Sequence, residues 1–522
     1  MTGLKDMPIA TTSHTHAGGP TQDMRPRMFF LWAGAIVLFY FLLALGDALV
    51  AVPWCDEAWL SNPALTFLRK GYLGTPILTP FSWGPPQFLP NIDHRTYWVM
   101  PLHMMMQIGW YKLFGFSLLS LRTLSILWGA VALVSIGSIA RSLGLGSRVA
   151  LIAMLVAGTD YFYLTRASDG RMDMMAAALM LASLAVYLWQ RNHNFTRAVA
   201  LAGLFAAASA FTHPVGGFFV FCGLAVLALR LDRGRLRIHH AFLFAIPFLL
   251  IGVPWGIYAA QDFASFKAQL AGNAHGRWEG ISNPWMSVYR ELRFKYFQAF
   301  GLNSFDKLSL QHLRLIPLAV YALSIIMLLM NREERKKPGV RSLLWIVLVF
   351  VFAGMAFDGA KRWYYLTHVV PFFAIALAAN FEALWRRRSV PRLALFSMLA
   401  SLVLMQVSGT VYRVSINAYQ NEFIPAARFI DEHNPEHSLI MGSGELGFYL
   451  GYPDYLVDDL SLGYYTGAKP KLIFAPRTYW QMWLNDLRTR KPEVCQFVAS
   501  TLRRDYRLVY STREYLIYQR QN

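Results

Sequence analysis

Apolar residues in this chain gather into long runs separated by short polar stretches rich in Lys and Arg. The first run, residues 28–50, has 23 positions and a single charge, Asp47. A signal peptide carries a shorter apolar core of about 7 to 15 residues, so this run reads as an uncleaved first span. Ten further runs follow near 121–140, 149–164, 174–190, 198–212, 215–229, 241–260, 315–330, 342–357, 363–381 and 393–412. Most approach the length needed to cross ~30 Å of hydrocarbon. The pattern predicts an all-α polytopic membrane domain of about 11 spans over residues 28–412, preceded by a disordered cytoplasmic N-terminus at 1–27.

One more stretch, 97–114, decides the topology, because counting it as a span reverses every later loop. It is interrupted by Pro101 and carries His103, Gln107 and Lys112. Charge argues against a crossing. With eleven spans and a cytoplasmic N-terminus, the inside segments 1–27, 141–148, 191–197, 230–239, 331–341 and 382–392 hold +14 of the chain's net charge of +19. The long outside segments are nearly balanced: 51–96 is neutral, 261–314 carries +3 and 413–522 carries +1. Short inside loops rich in Lys and Arg are what the positive-inside rule requires. Residues 97–114 are therefore expected to form an interfacial or re-entrant helix. The same placement removes the nucleic-acid partner that a net charge of +19 would otherwise suggest.

Composition agrees with a membrane protein. The chain of 522 residues is 55% hydrophobic and only 15% charged, against about 25% charged in soluble domains. Three cysteines, Cys55, Cys222 and Cys495, give neither a metal pair nor a disulfide framework, although Cys55 and Cys495 would share an oxidising compartment. Outer loops are expected at 51–120 and 261–314. The tail, 413–522, changes character: short β-like runs begin at 438, 455, 471, 506 and 515, separated by helical stretches. A small extracytoplasmic, periplasmic α/β domain is predicted there. Its GSGELG at 442–447 fits G-x-G-x-x-G, but acids follow too soon, at Asp458 and Asp459, so a plain turn is favoured over a dinucleotide site.

Candidate chemistry lies where ionisable groups sit at membrane boundaries, since such groups are costly and tend to be functional. Asp56 and Glu57 follow the first span in VPWCDEAW; they read either as reactive carboxylates or as a solvated helix start. In TRASDGRMDMM, Asp169 and Asp173 alternate with Arg166 and Arg171, as a site or as a self-neutralising collar. An early helix start would put both acids on one side. In FDGAKRWYYLTHVVP, Lys361 and Arg362 lie outside, against the charge trend and next to Tyr365. They read as a phosphate site or as snorkelling cations in an aromatic belt. His213 precedes Pro214 and reads first as a capping residue, with phosphate contact as the alternative. Arg277 and Trp278 read as loop anchors or as a sugar clamp. Met104, Met105 and Met106 read as an apolar lipid-facing surface rather than a metal box.

An acidic pair after the first span, a long outer loop leading to KLFGFSLLSLRTLS, an R-x-D-type second outer loop, and KRWYYLTHVVPFFAIALA before a late span together resemble the GT-C class of membrane glycosyltransferases. Within it the chain is similar to the protein O-mannosyltransferase family that includes the bacterial aminoarabinose transferase of lipid A. FKAQLAGNAHGRWEG and ELRFKYF also resemble that family's bacterial members. The resemblance covers the layout of residues 28–412. It implies inverting transfer of a sugar from a polyprenyl-phosphate donor to a lipid, glycan or protein acceptor, at the outer face of the cell (inner) membrane. Asp56 then matches the first-loop acid as general base or acceptor-orienting group, Glu57 its neighbour, and Asp173 the second-loop acid, with Asp169 as substitute. Lys361 and Arg362 match the cations near the lipid phosphate; Arg171, Tyr365, Arg277 and His213 are further candidates for substrate binding, read from the residues themselves.

A phosphate leaving group is already a stable anion. One carboxylate plus cations therefore suffice where a glycoside hydrolase needs two carboxylates. No cofactor is required, though Asp56, Glu57 and Asp173 offer oxygens to a divalent metal. A transporter or lipid flippase is the alternative, but no internal repeat of the kind transporters show is visible. A membrane-anchored binding protein would not need eleven spans.

Overall fold

The computed structural model describes residues 24–80, 88–274, 284–302 and 309–521. The first span is α1 (Pro26–Val50), which Pro26 opens at a position where its missing N–H costs nothing. The first long loop follows with α2 (Cys55–Lys70) and α3 (Pro101–Phe114). Then come α4 (Leu118–Ser142) and the pair α5 (Ser147–Thr159) and α6 (Tyr161–Ser168), bent by 64° at Asp160. The Asp160 carboxylate caps α6 through the Tyr163 amide at 2.9 Å and accepts the Tyr321 hydroxyl at 2.8 Å, so the break is a built feature.

The chain continues through α7 (Met172–Gln190), α8 (Phe195–Thr212), α9 (Pro214–Leu231) and α10 (Ile238–Ala260). The second long connection holds α11 (Phe263–Ala274) and α12 (Pro284–Glu291). After it come α13 (Leu315–Met330), the short α14 (Arg332–Lys336), α15 (Pro338–Phe357), α16 (Val370–Arg387) and α17 (Arg392–Ile416).

Nine helices among the described residues are long and apolar enough to cross a bilayer, and the bent pair makes a tenth. The remaining predicted span, 363–381, begins later than its sequence suggests. Residues 363–368 form a 3-10 turn, and α16 starts at Val370. It carries Glu382, Arg386 and Arg387 at its far end but is buried almost throughout its first half.

The tail carries α18 (Ile424–Glu432), α19 (Gly447–Leu450), α20 (Arg477–Arg490) and α21 (Pro492–Asp505). All five predicted β runs are strands: β1 (Ile440–Gly442), β2 (Leu456–Asp458), β3 (Leu472–Pro476), β4 (Tyr506–Ser511) and β5 (Tyr515–Arg520). They form one sheet in the order β2-β1-β3-β5-β4. β1 pairs parallel to β2 and β3, whereas β5 is antiparallel to β3 and β4. The last membrane helix runs to Ile416, past the boundary expected at 412.

The tail is not a separate body. Its Phe423, Ile440, Leu446 and Phe474 share one hydrophobic core with Ala58, Trp59, Leu78 and Trp98 of the first long loop. GSGELG forms the turn after β1 and packs on α2: a Cβ added at Gly444 would meet Ala58 at 3.4 Å and the Asp458 carboxylate at 2.9 Å. The three cysteines are free, with Cys55 and Cys495 in different hydrophobic clusters.

Candidate active site

Four elements deliver the predicted groups: the start of α2, the link between α6 and α7, the turn before α16, and the start of α9. Asp56 lies in the first turn of α2, with its side chain 23% exposed. Arg171, just before α7, makes close ion contact with the Asp56 carboxylate through Nη1 and donates from Nε to Asp173 Oδ2 at 2.8 Å. Its guanidinium lies 4.2 Å from the centre of the Tyr364 ring and 4.9 Å from that of Trp54. Arg362 Nη1 in turn donates to the Tyr364 hydroxyl at 2.9 Å. Asp56, Arg171, Tyr364 and Arg362 thus form a continuous polar chain. The Nε of Arg362 is buried and has no hydrogen-bond acceptor among the described residues.

α3 is only 14 residues long and is not among the described helices long and apolar enough to cross a bilayer.

Glu57 is fully buried and engaged on both oxygens. Arg122 grips it from Nε and Nη2, each at 2.8 Å, while the Gly170 and Trp54 amides donate at 2.9 Å. Burial works to raise the Glu57 pKa, but the Arg122 guanidinium and these amides hold it below the usual carboxylate range. Gly170 is required there, because a Cβ would collide with the Leu121 side chain. The SDG segment is thus the backbone latch that fastens the α6–α7 link to Glu57.

The whole-chain architecture matches solved structures. ArnT from Cupriavidus metallidurans, determined with bound undecaprenyl phosphate, superposes with a TM-score of 0.60 at 16% identity, covering 95% of this chain and 98% of that one. The fold is that of the GT-C glycosyltransferases. The oligosaccharyltransferase of Archaeoglobus fulgidus superposes with a TM-score of 0.52 at 12% identity, covering 91% of this chain and 69% of that one. Residues 99–258 match the family described as dolichyl-phosphate-mannose-protein mannosyltransferase. No curated protein sequence matches the chain.

Within this GT-C fold the remaining predicted residues separate. Asp173 lies in the first turn of α7, its Oδ1 buried with no hydrogen-bond partner among the described residues. Asp169 is not on that helix, because α7 starts only at Met172; it terminates α6 and pairs with Arg166 at 2.6 Å. Burial pushes Asp169 up to about 6 against the pull of Arg166. His213 caps α9, its Nδ1 accepting the Val215 amide at 3.1 Å, and its ring lies 5.4 Å from that of Tyr365.

Lys361 sits in a compensated network of four buried charges. Its Nζ lies 3.1 Å from Glu291, and Lys295 lies 3.1 Å from Glu291 and 3.5 Å from Asp358. The two expected cations therefore differ: Lys361 is internally neutralised, whereas Arg362 keeps a donor in reserve. Arg277 lies outside the described residues, as does Trp278.

Sequence reading passed over Arg122, Tyr364 and the tail acid Glu445, and weighed Asp458 only in setting aside a dinucleotide site. Asp458 accepts the Trp59 indole N–H at 2.6 Å and the Gly444 amide at 2.7 Å. Glu445 accepts the Ser443 hydroxyl at 2.6 Å. Arg122 stands within the quoted LSLRTLS motif, where an arginine inside an apolar run asks for a buried acid. The tail acids carried no such local signal.

The fold relatives include the Archaeoglobus protein crystallised with zinc and sulfate. Among the described residues, no three His, Cys, Asp or Glu side chains converge on a metal position. Asp56, Glu57 and Asp173 each face a guanidinium.

Proposed function

We propose that this chain transfers a sugar from a polyprenyl-phosphate-linked donor to an acceptor hydroxyl of a lipid, glycan or protein, with inversion, at the outer face of the cytoplasmic membrane. The polar chain from Asp56 to Arg362 carries this reading. It sets a carboxylate beside a cation with an unused donor, one tyrosine side chain apart once Arg171 is in place. Undecaprenyl phosphate bound to the ArnT fold supports the class of donor.

Asp56 is the base that takes the acceptor proton, and its partial exposure gives the hydroxyl access. Arg362 meets the phosphate, stabilising the charge that grows there as the glycosidic bond breaks. Arg171 holds Asp56 and Asp173 in register, and Asp173 Oδ1 offers an acceptor to a sugar hydroxyl. Glu57 is a positioning residue, since both its oxygens are occupied. No step is routed through a metal. The lipid tail stays among the spans, so the pocket has to hold only sugar and phosphate.

The test is transfer from a radiolabelled polyprenyl-phosphate sugar by purified protein. Asp56→Asn is expected to lower the rate by about 10² to 10⁴, the usual worth of a general base. Full activity in that variant, or lipid translocation without sugar transfer, overturns the reading, the latter in favour of a flippase.

A further inference from the structure

On the face of the molecule opposite the polar chain, α13 and α15 diverge around a groove of about 470 Å³. Its walls are apolar, with Ile325 and Leu329 on α13 and Leu344 and Leu348 on α15. Its mouth, where α14 links the two helices, is cationic: Arg332, Arg335, Lys336 and Arg341 line it. Two of these are already engaged. Arg335 donates to the Leu329 carbonyl at 3.0 Å, and Lys336 pairs with Glu333 at 3.2 Å. Arg332 and Arg341 have no carboxylate partner among the described residues.

A second observation fixes the depth. Trp345 lines the groove and is 41% exposed, and Arg230, from the last turn of α9, lies 5.3 Å from the centre of its ring. An exposed tryptophan beside an arginine marks the headgroup level of a bilayer.

We infer that this groove is a binding site for an anionic phospholipid in the leaflet opposite the active site. An acyl chain lies along the walls and the phosphate sits between Arg332 and Arg341. Acyl contact alone gives no preference, since any lipid supplies it; charge at the mouth selects the anionic headgroup. A zwitterionic lipid brings its own ammonium to the same four cations.

Native mass spectrometry of the purified full chain, offered equal amounts of phosphatidylglycerol and phosphatidylethanolamine, tests this. Selective retention of the anionic lipid is expected. The double variant Arg332→Ala/Arg341→Ala should lower that retention roughly tenfold or more, given about fivefold per cation near a membrane surface. Arg233→Ala/Arg235→Ala removes the same charge from another loop of that face and should leave retention unchanged. Leu348→Trp fills the groove at an exposed position without altering charge and should also lower retention. Equal loss in both double variants, or no loss with Leu348→Trp, overturns the site, whatever the outcome of the sugar-transfer assay.

Discussion

At the residue scale, two adjacent carboxylates stand in opposite surroundings, which is the basis of the different roles proposed for them. Asp56 has one guanidinium and access to solvent, whereas Glu57 has four hydrogen bonds and no exposure. Removing charge from Glu57 leaves the buried Arg122 unpaired, and breaking such a pair typically costs about 3 to 5 kcal/mol. Glu57→Gln should therefore lower the unfolding midpoint by several degrees, while Asp56→Asn should leave it nearly unchanged and stop the chemistry. Thermal unfolding beside turnover for both variants checks this; a Glu57→Gln protein of normal stability and no activity would reverse the assignment. Arg362 gives a second contrast. Arg362→Lys keeps the charge but loses the planar fork that serves Tyr364 and a phosphate together. A higher KM for the donor is expected, with a smaller change in kcat, and an unchanged KM would place the phosphate elsewhere.

At the element scale, α2 is the hinge between membrane and tail. Its first turn presents Asp56, and one turn later Trp59 donates into Asp458 of β2. Burial pushes Glu445 up to about 8 and Asp458 up to about 7, with each acid's neighbouring donors opposing. The sign follows from linkage. These carboxyls hold protons in the folded chain that an unfolded chain, with acids near 4, has released. Stability of the docked tail is therefore greatest at acid pH, declines as pH rises from about 4, and levels above about 8. Glu445→Gln keeps the acceptor for Ser443 and should flatten the upper part of that decline, read from unfolding midpoints between pH 5 and 9; an unchanged slope would exclude Glu445 as its source. None of this was legible beforehand. The five tail strands and nearly all spans announced themselves through period and length, because each is a local pattern. The docking of β2 and the GSGELG turn onto α2 joins residues some 400 positions apart, and only the fold brings an acid at 458 beneath a tryptophan at 59. The α16 boundary was misplaced for a related reason: WYYLTH is apolar enough to look like a span but turns as a 3-10 segment that aims Tyr364 at Arg171.

At the scale of the whole molecule, contacts and charge describe one orientation independently. Asp56, Arg171, Arg362 and the tail meet at one end of the bundle. At the other end Arg191 pairs with Asp232 at 2.7 Å, Arg387 donates to Asn331 at 2.7 Å, and Gly339 packs against the Leu143 carbonyl. The loops that share this second end are those that carry the basic excess. Positive loops stay in the cytoplasm, so the end that holds the polar chain should face outward. A reporter active only outside the cytoplasm, fused after the tail, should therefore be active, and the same reporter inserted at 332–336 should be silent. The fold makes this test sharper than charge alone does. Asp56 is tied to the tail through α2, so a silent C-terminal fusion would turn the whole catalytic end inward and leave an outer-face transferase untenable, not merely shift one loop.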